Sequence, residues 1–169
     1  MLQGLESADH GLDAGAHLLV FMHERGTFGA GLQVNYRRNF NRLVEIAHQM
    51  KRTDDPLVRQ KIGQAYAEIE VMRLNQMRAI SRINEKGVPG PEGSIQKVFW
   101  TELNQRFQQT AAEVLGPFIQ LTKGDPYAID DGQFAYSFLR TRGNTIEAGT
   151  SEVQRNIIGH FVLGLPKSY

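Results

Sequence analysis

Apolar positions recur at intervals of three and four along most of the chain, and nowhere over a useful length do they alternate every second residue. That period predicts amphipathic helices and argues against strands. Leu12, Ala16, Leu19 and His23 fall on one helical face, and Phe28, Leu32, Tyr36, Phe40, Leu43, Ala47 and Met50 extend the pattern. The spacing predicts one long helix, or two in line, with Asp13 as a candidate cap. Gly26, Gly29 and Gly31 interrupt it. Each glycine costs about 1 kcal/mol relative to Ala in a helix interior, so together they mark a kink or a close approach of another backbone or a ligand. Residues 1–11 carry no sustained period and read as a lead-in or linker.

A polar break at residues 51–55 ends in Asp55-Pro56, a capping residue followed by the residue best tolerated at a first helical position. The second helix then runs through Val58, Ile62, Tyr66, Ile69, Met72 and Met77 to about Lys86, where Gly87-Val88-Pro89-Gly90-Pro91 stops it. A third helix is predicted from Gly93 to Leu115, with Ile95, Phe99, Leu103, Phe107, Ala111 and Val114 as its apolar stripe. Gly116-Pro117 breaks that helix, Gly124-Asp125-Pro126 opens a less regular region, and a short helix is expected over Gln133 to Thr141.

The C-terminal stretch reads as a loop that aims a final helix. Gly143 and Gly149 bracket an irregular segment, Thr150 or Ser151 is placed to cap, and Ser151 with Gln154 fits the S-x-x-Q capping box. Glu152 suits the positive first turn. Val153, Ile157, Ile158, Phe161 and Val162 form the expected apolar face before Gly164 and Pro166 end the helix. The amide groups of such an N-terminus have no helical partner and suit an anion. The fold class expected is therefore all-α, an up-down four-helix bundle spanning residues 12–169 with a short capped C-terminal helix.

Composition narrows the function classes. The chain of 169 residues is long enough for one domain with its own core. Its 19 basic and 18 acidic residues leave a net charge of +1, which argues against nucleic acid as a partner. No apolar run reaches the roughly 20 residues of a membrane span. The absence of Cys excludes disulfides and thiolate metal sites and fits a cytoplasmic protein. The five His residues lack metal-ligand spacing, and the chain has neither a nucleophile elbow nor a strand-linked Gly-x-Gly.

The order of residues in Ala148-Gly149-Thr150-Ser151-Glu152-Val153-Gln154-Arg155-Asn156-Ile157-Ile158, continuing to Leu165-Pro166, closely resembles the C-terminal signature of the acyl-CoA dehydrogenases. These flavoenzymes oxidise acyl-CoA thioesters at Cα–Cβ. Weaker similarity upstream covers most of the chain. The resemblance implies an FAD cofactor, an acyl-CoA substrate, electron-transfer flavoprotein as the acceptor, and a homo- or hetero-oligomer built on the bundle. Because it reaches only the C-terminal part of complete members, it implies partner N-terminal and β domains of the same protein. The isolated chain is accordingly expected to be inactive.

The resemblance also assigns residues. A Cα–H is a weak acid, so the carboxylate that takes its proton must be desolvated and within reach of the carbon. Most members place this Glu immediately before Gly-Thr-Ser, where this chain has Ala148. A second solution in the family is a Glu followed by Arg on the first helix of the domain, and Met22-His23-Glu24-Arg25-Gly26 is similar to it. Glu24 is thereby the expected catalytic base and Arg25 a substrate-binding neighbour, with Glu147, one residue early, as the weaker alternative. Gly149, Thr150 and Glu152 match the part of the signature that contacts the cofactor. Arg140 and Arg142 are further candidates for phosphate or CoA.

Two motifs depart from the family pattern. Many members carry Arg-x-x-Phe-Gly after the first helix and Gln-x-x-Gly-Gly at the end of the third, both contacting flavin across a subunit interface. Here the corresponding strings are Arg37-Arg38-Asn39-Phe40 and Glu113-Val114-Leu115-Gly116-Pro117. Two alternatives follow: a non-catalytic assembly subunit of a heteromeric dehydrogenase, and a fold relative that oxidises another substrate, such as a nitro compound.

Overall fold

Asp55 begins the most sharply predicted element in the way its side chain allows, accepting the Leu57 amide at 2.9 Å while Pro56 occupies the first turn. The structure, a computed structural model, describes residues 31–87, 90 and 92–166. The first helix, α1, covers 31–49; α2 is Pro56–Lys86, α3 Glu92–Leu115, α4 Gln133–Asn144 and α5 Ser151–Ile157. No strand occurs among the described residues. The lead-in 1–11, the candidate cap Asp13, and the glycines at 26 and 29 lie outside them; Gly31 sits within α1 with open space around its Cα.

Cross-helix pairs give the directions. Arg37 pairs with Glu70 and Phe40 stacks on Tyr66 at 5.8 Å, so residue numbers rise along α1 as they fall along α2. Lys61 meets Glu113 and Glu68 meets Arg106, so α2 and α3 are also antiparallel. Lys97 reaches Thr145, whereas Gln105 reaches Thr141, which reverses α4 against α3. The result is the expected up-down bundle. Gly87, in the left-handed region at φ 73°, closes α2 by donating its amide to Ile83 at 2.8 Å.

The core lies between α1, α2 and α3. Tyr36, Phe40, Leu43, Ile46 and Ala47 meet Val58, Ala65, Ile69 and Met72, with Leu103, Phe107, Ala111 and Val114 from α3 and Phe134 from α4. Tyr36 and Phe107 touch edge to face at 6.4 Å. The predicted α2 stripe needs correction at two places. Tyr66 and Met77 are half exposed, and Ala65 and Gln76 are buried instead. Tyr66 is kept at the surface because its ring carries the Arg37 guanidinium at 4.9 Å. The short helix α4 runs three residues beyond the predicted Thr141, and its buried residues include Thr141 and Asn144 as well as Phe134 and Ala135.

Candidate functional site

Between α4 and α5 the chain makes one tight turn. The amides of Ile146 and Glu147 both donate to the Gly143 carbonyl at 3.0 Å, closing α4. Ala148 then takes φ 53° and Gly149 φ 91°, two successive residues in the left-handed region. Gly suits this; Ala does not, because its Cβ crowds the backbone there. What holds the pair is Gln154, wholly buried, whose Nε2 donates to the Ala148 carbonyl at 3.0 Å. A Cβ at Gly149 would come within 2.5 Å of that same nitrogen, so glycine is required on steric as well as conformational grounds.

Thr150 caps α5, its hydroxyl oxygen accepting the Val153 amide at 3.3 Å. The predicted Ser151–Gln154 capping box is therefore not formed, because the cap lies one residue earlier and Gln154 reaches back to Ala148 instead. Ser151 is buried, and its hydroxyl has no hydrogen-bond partner among the described residues. The expected apolar face of α5 is also corrected. Only Ser151 and Gln154 are buried, while Val153, Phe161 and Val162 are exposed. The helix widens to π geometry over Ile158–Val162, which shifts the angular register that a 3.6-residue period assumes.

Glu152, at the mouth of this turn, is held below the ordinary carboxylate range by its own backbone N–H and then by the Thr150 hydroxyl. It joins Thr145, Ile146, Thr150, Ser151, Glu102, Gln105, Arg106 and Arg155 around an open depression of about 510 Å³. Arg155 is tied to Glu102 at 2.5 Å. Thus Thr150 and Glu152 line one depression, and Gly149 precedes them in the turn without lining it. Glu24 and Arg25 lie outside the described residues.

The remaining candidates are engaged elsewhere. Arg140 pairs with Glu147 at 2.7 Å, and Asn144 also donates to that carboxylate. Arg140, then Asn144, pulls the Glu147 pKa down. A general base for a Cα–H needs the opposite environment, desolvated and with a raised pKa. Arg142 lies over the Phe138 ring at 5.5 Å and approaches Gln105 at 3.4 Å, at the rim of a second depression of about 360 Å³.

A set of residues that periodicity reading passed over supports the turn from below. Along α3, beside the apolar stripe, Lys97, Thr101 and Gln108 are buried, and Asn104 and Gln105 lie between them. Asn104 donates to the Asn144 side-chain oxygen at 3.0 Å, Gln105 to the Thr145 hydroxyl at 3.1 Å, and Lys97 approaches the Thr145 carbonyl at 3.4 Å. That same carbonyl accepts the Ser151 amide at 3.2 Å. The signal was present as a second helical stripe, at spacings of four, three and four, made of polar residues.

Four antiparallel helices and a fifth launched from a Gly-Thr turn define an all-helical bundle domain whose candidate chemistry sits at a loop rather than in the core. Residues 11–163 match the family described as acyl-CoA dehydrogenase, C-terminal domain, and the chain belongs to that family. It is 34% identical over 146 residues to acyl-CoA dehydrogenase IpdE1 of Mycobacterium tuberculosis, covering 85% of this chain and 36% of that protein. The solved structure of the Tcur3481-Tcur3483 steroid ACAD superposes with a TM-score of 0.78 at 28% identity, over 88% of this chain and 38% of that one. The ChsE4-ChsE5 complex from Mycobacterium tuberculosis superposes at 0.64 with 27% identity, over 75% and 36%. The chain thus spans about a third of the length of these relatives.

Proposed function

We propose that this chain is the C-terminal bundle domain of an FAD-dependent acyl-CoA dehydrogenase, with Glu24 as the base that takes the α-proton of the thioester and Arg25 beside it on the substrate. The observation that carries the reading is Gly149-Thr150-Ser151-Glu152, the family's own string, presented on a rigid turn at the surface in a chain of that family. FAD, when bound, supplies the acceptor for the β-hydrogen as hydride. The turn suits such a cofactor: the buried Ser151 hydroxyl has no partner among the described residues, and Thr150, Ser151 and Glu152 line the open depression at the start of α5. Gly149, Thr150 and Glu152 would hold the cofactor here. Electron-transfer flavoprotein is the proposed acceptor of the electrons.

The second flavin half-site fits less well, and this favours a mixed assembly. Arg37 is taken by Glu70 and the Tyr66 ring, and Phe40 is in the core. Glu113, where relatives carry Gln, is bound to Lys61 at 2.5 Å, and Pro117 follows Gly116 in a 3-10 turn. These residues serve internal packing. The chain is thus proposed to supply one half of a flavin site, while a different subunit supplies the other. The two-name solved relatives support that reading, and the steroid ACAD suggests a bulky, ring-bearing acyl group.

The test uses the complete assembly that contains this chain. Flavin content is measured, and then its bleaching by straight-chain, branched and steroid-derived acyl-CoA thioesters, for wild type and Glu24→Gln. The expected outcome is bound flavin that bleaches in wild type and not in Glu24→Gln, with thioester binding retained. Unchanged bleaching in the variant would remove Glu24 as the base. An assembly with no flavin would leave this chain as a structural subunit.

A further inference from the structure

We infer that Lys97 is a positioning residue of the acyl-CoA oxidation site, a buried cation that holds the 145–150 turn in the geometry from which Gly149 and Thr150 meet the cofactor. The inference rests on the function proposed above and extends it to a residue outside the signature string. Lys97 is only 4% exposed, and a lysine is almost never buried to that degree without partners that repay its desolvation. Its ammonium lies at the C-terminal end of α4, where unpaired carbonyls carry negative partial charge. The Thr145 carbonyl, 3.4 Å from Nζ, is the C-cap of α4, and it also accepts the Ser151 amide that opens α5. One oxygen therefore links Lys97 to both ends of the turn.

Charge places the residue further. Glu147 is drawn down first by Arg140 and Asn144, and Glu152 by its own backbone N–H and the Thr150 hydroxyl; the positive charge of Lys97 adds a smaller pull on both acids of the turn. The base of Lys97 is itself fixed, since Thr101 donates its hydroxyl to the Lys97 carbonyl at 2.9 Å one turn along α3. Asn104 and Gln105 grip Asn144 and Thr145 from the same helix. The turn that they hold carries Ala148 and Gly149 in left-handed conformations, and such backbone persists only where the surroundings over-determine it. An apolar residue at position 97 would fill the same space, but it would remove the Nζ donor to the Thr145 carbonyl. The cation thus serves geometry at the turn.

The experiment compares wild type, Lys97→Met, Lys97→Gln and the control Thr110→Val in the complete assembly loaded with FAD. Thr110 is buried on α3 and, among the described residues, its hydroxyl donates within its own helix, to the Arg106 carbonyl. Four quantities are read: FAD dissociation, the visible spectrum of bound flavin, single-turnover reduction by the thioester that bleaches wild type, and hydrogen exchange of segment 145–154. Displacing a site by an ångström costs up to about 100-fold in rate, so Lys97→Met is expected to lose about tenfold or more in reduction rate. Faster exchange over 145–154 and an altered flavin band should accompany that loss, with a smaller change in thioester affinity. Lys97→Gln keeps a donor at position 97 and should fall between wild type and Lys97→Met.

Thr110→Val should lower thermal stability and leave rate and spectrum within about twofold of wild type. Lys97→Met with wild-type exchange and rate would overturn the inference. So would Thr110→Val reproducing the same losses, because the effect would then be one of stability alone. A wild-type assembly that takes up no FAD would defeat the functional reading and the role of Lys97 in it. Exchange over 145–154 separates that outcome from a turn which Lys97 does not hold.

Discussion

Two stripes of α3 lie side by side and do different work. Leu103, Phe107, Ala111 and Val114 are buried against α1 and α2, whereas in the polar stripe Lys97, Asn104 and Gln105 reach Thr145 and Asn144 by hydrogen bonds, and Thr101 and Gln108 bond within α3. The first stripe stabilises through area and packing, which are non-directional and tolerate swaps of similar volume. The second gains little net free energy, because each bond replaces one to water. Its contribution is direction, since a donor in the wrong place costs more than none. The bundle thus divides stability from placement along a single helix.

The largest effect that would sharpen this contrast comes from the apolar stripe. Phe107→Ala should cost about 3–5 kcal/mol in denaturant unfolding, with the turn at 145–150 unchanged in the folded fraction. A loss below about 1 kcal/mol would mean that the core collapses around the site and that Phe107 is not its centre. Next comes Gly149→Ala, where positive φ and the contact with Gln154 Nε2 combine. A cost of about 1–2 kcal/mol is expected from the left-handed backbone alone, and hydrogen exchange should rise locally at the turn. Exchange rising evenly across all helices would instead break the separation drawn here.

Gln105→Leu should cost about 1 kcal/mol, removing the bond to the Thr145 hydroxyl while keeping bulk. Its signature is a change at residues 144–151 with little loss of melting temperature. The smallest effect is acid-dependent. Arg140 and then Asn144 lower the Glu147 pKa from its ordinary 4.5, so the pair stabilises the fold above that value and the benefit disappears as pH falls through the lowered one. Glu147 is largely exposed, so solvent screening limits the effect to about 0.2–1 kcal/mol. Glu147→Gln should therefore be slightly less stable than wild type near neutrality and equal to it well below pH 4.5. A difference that persists in acid would show that the side chain acts through packing.

Much of the bundle was readable in the chain because its signals are local. Asp55-Pro56 and Gly87 bound α2 to the residue, since a cap and a left-handed stop need only their own neighbours. Leu103, Phe107, Ala111 and Val114 announce a buried face by spacing alone. The string Gly149-Thr150-Ser151-Glu152 carried the family without any coordinates. Local signals fail where a residue's role depends on a partner far along the chain. Tyr66 has the spacing of a core residue, yet it is drawn to the surface beneath Arg37, 29 positions away. The role of Lys97, Asn104 and Gln105 emerges only when α4 is laid antiparallel to α3, which puts Thr145 near Lys97 and Gln105 and Asn144 near Asn104, at a separation of 48 residues for Lys97. The capping of α5 by Thr150 rather than Ser151 turned on a nearer contact: Gln154 reaches back six residues to the Ala148 carbonyl and is unavailable to a capping box. Sequence alone determined the described helices, the buried stripe Leu103–Val114 of α3 and the family; tertiary structure decided the faces of α2 and α5 and which polar residues would be buried, because the cost of burying them is met only by partners that the fold brings near.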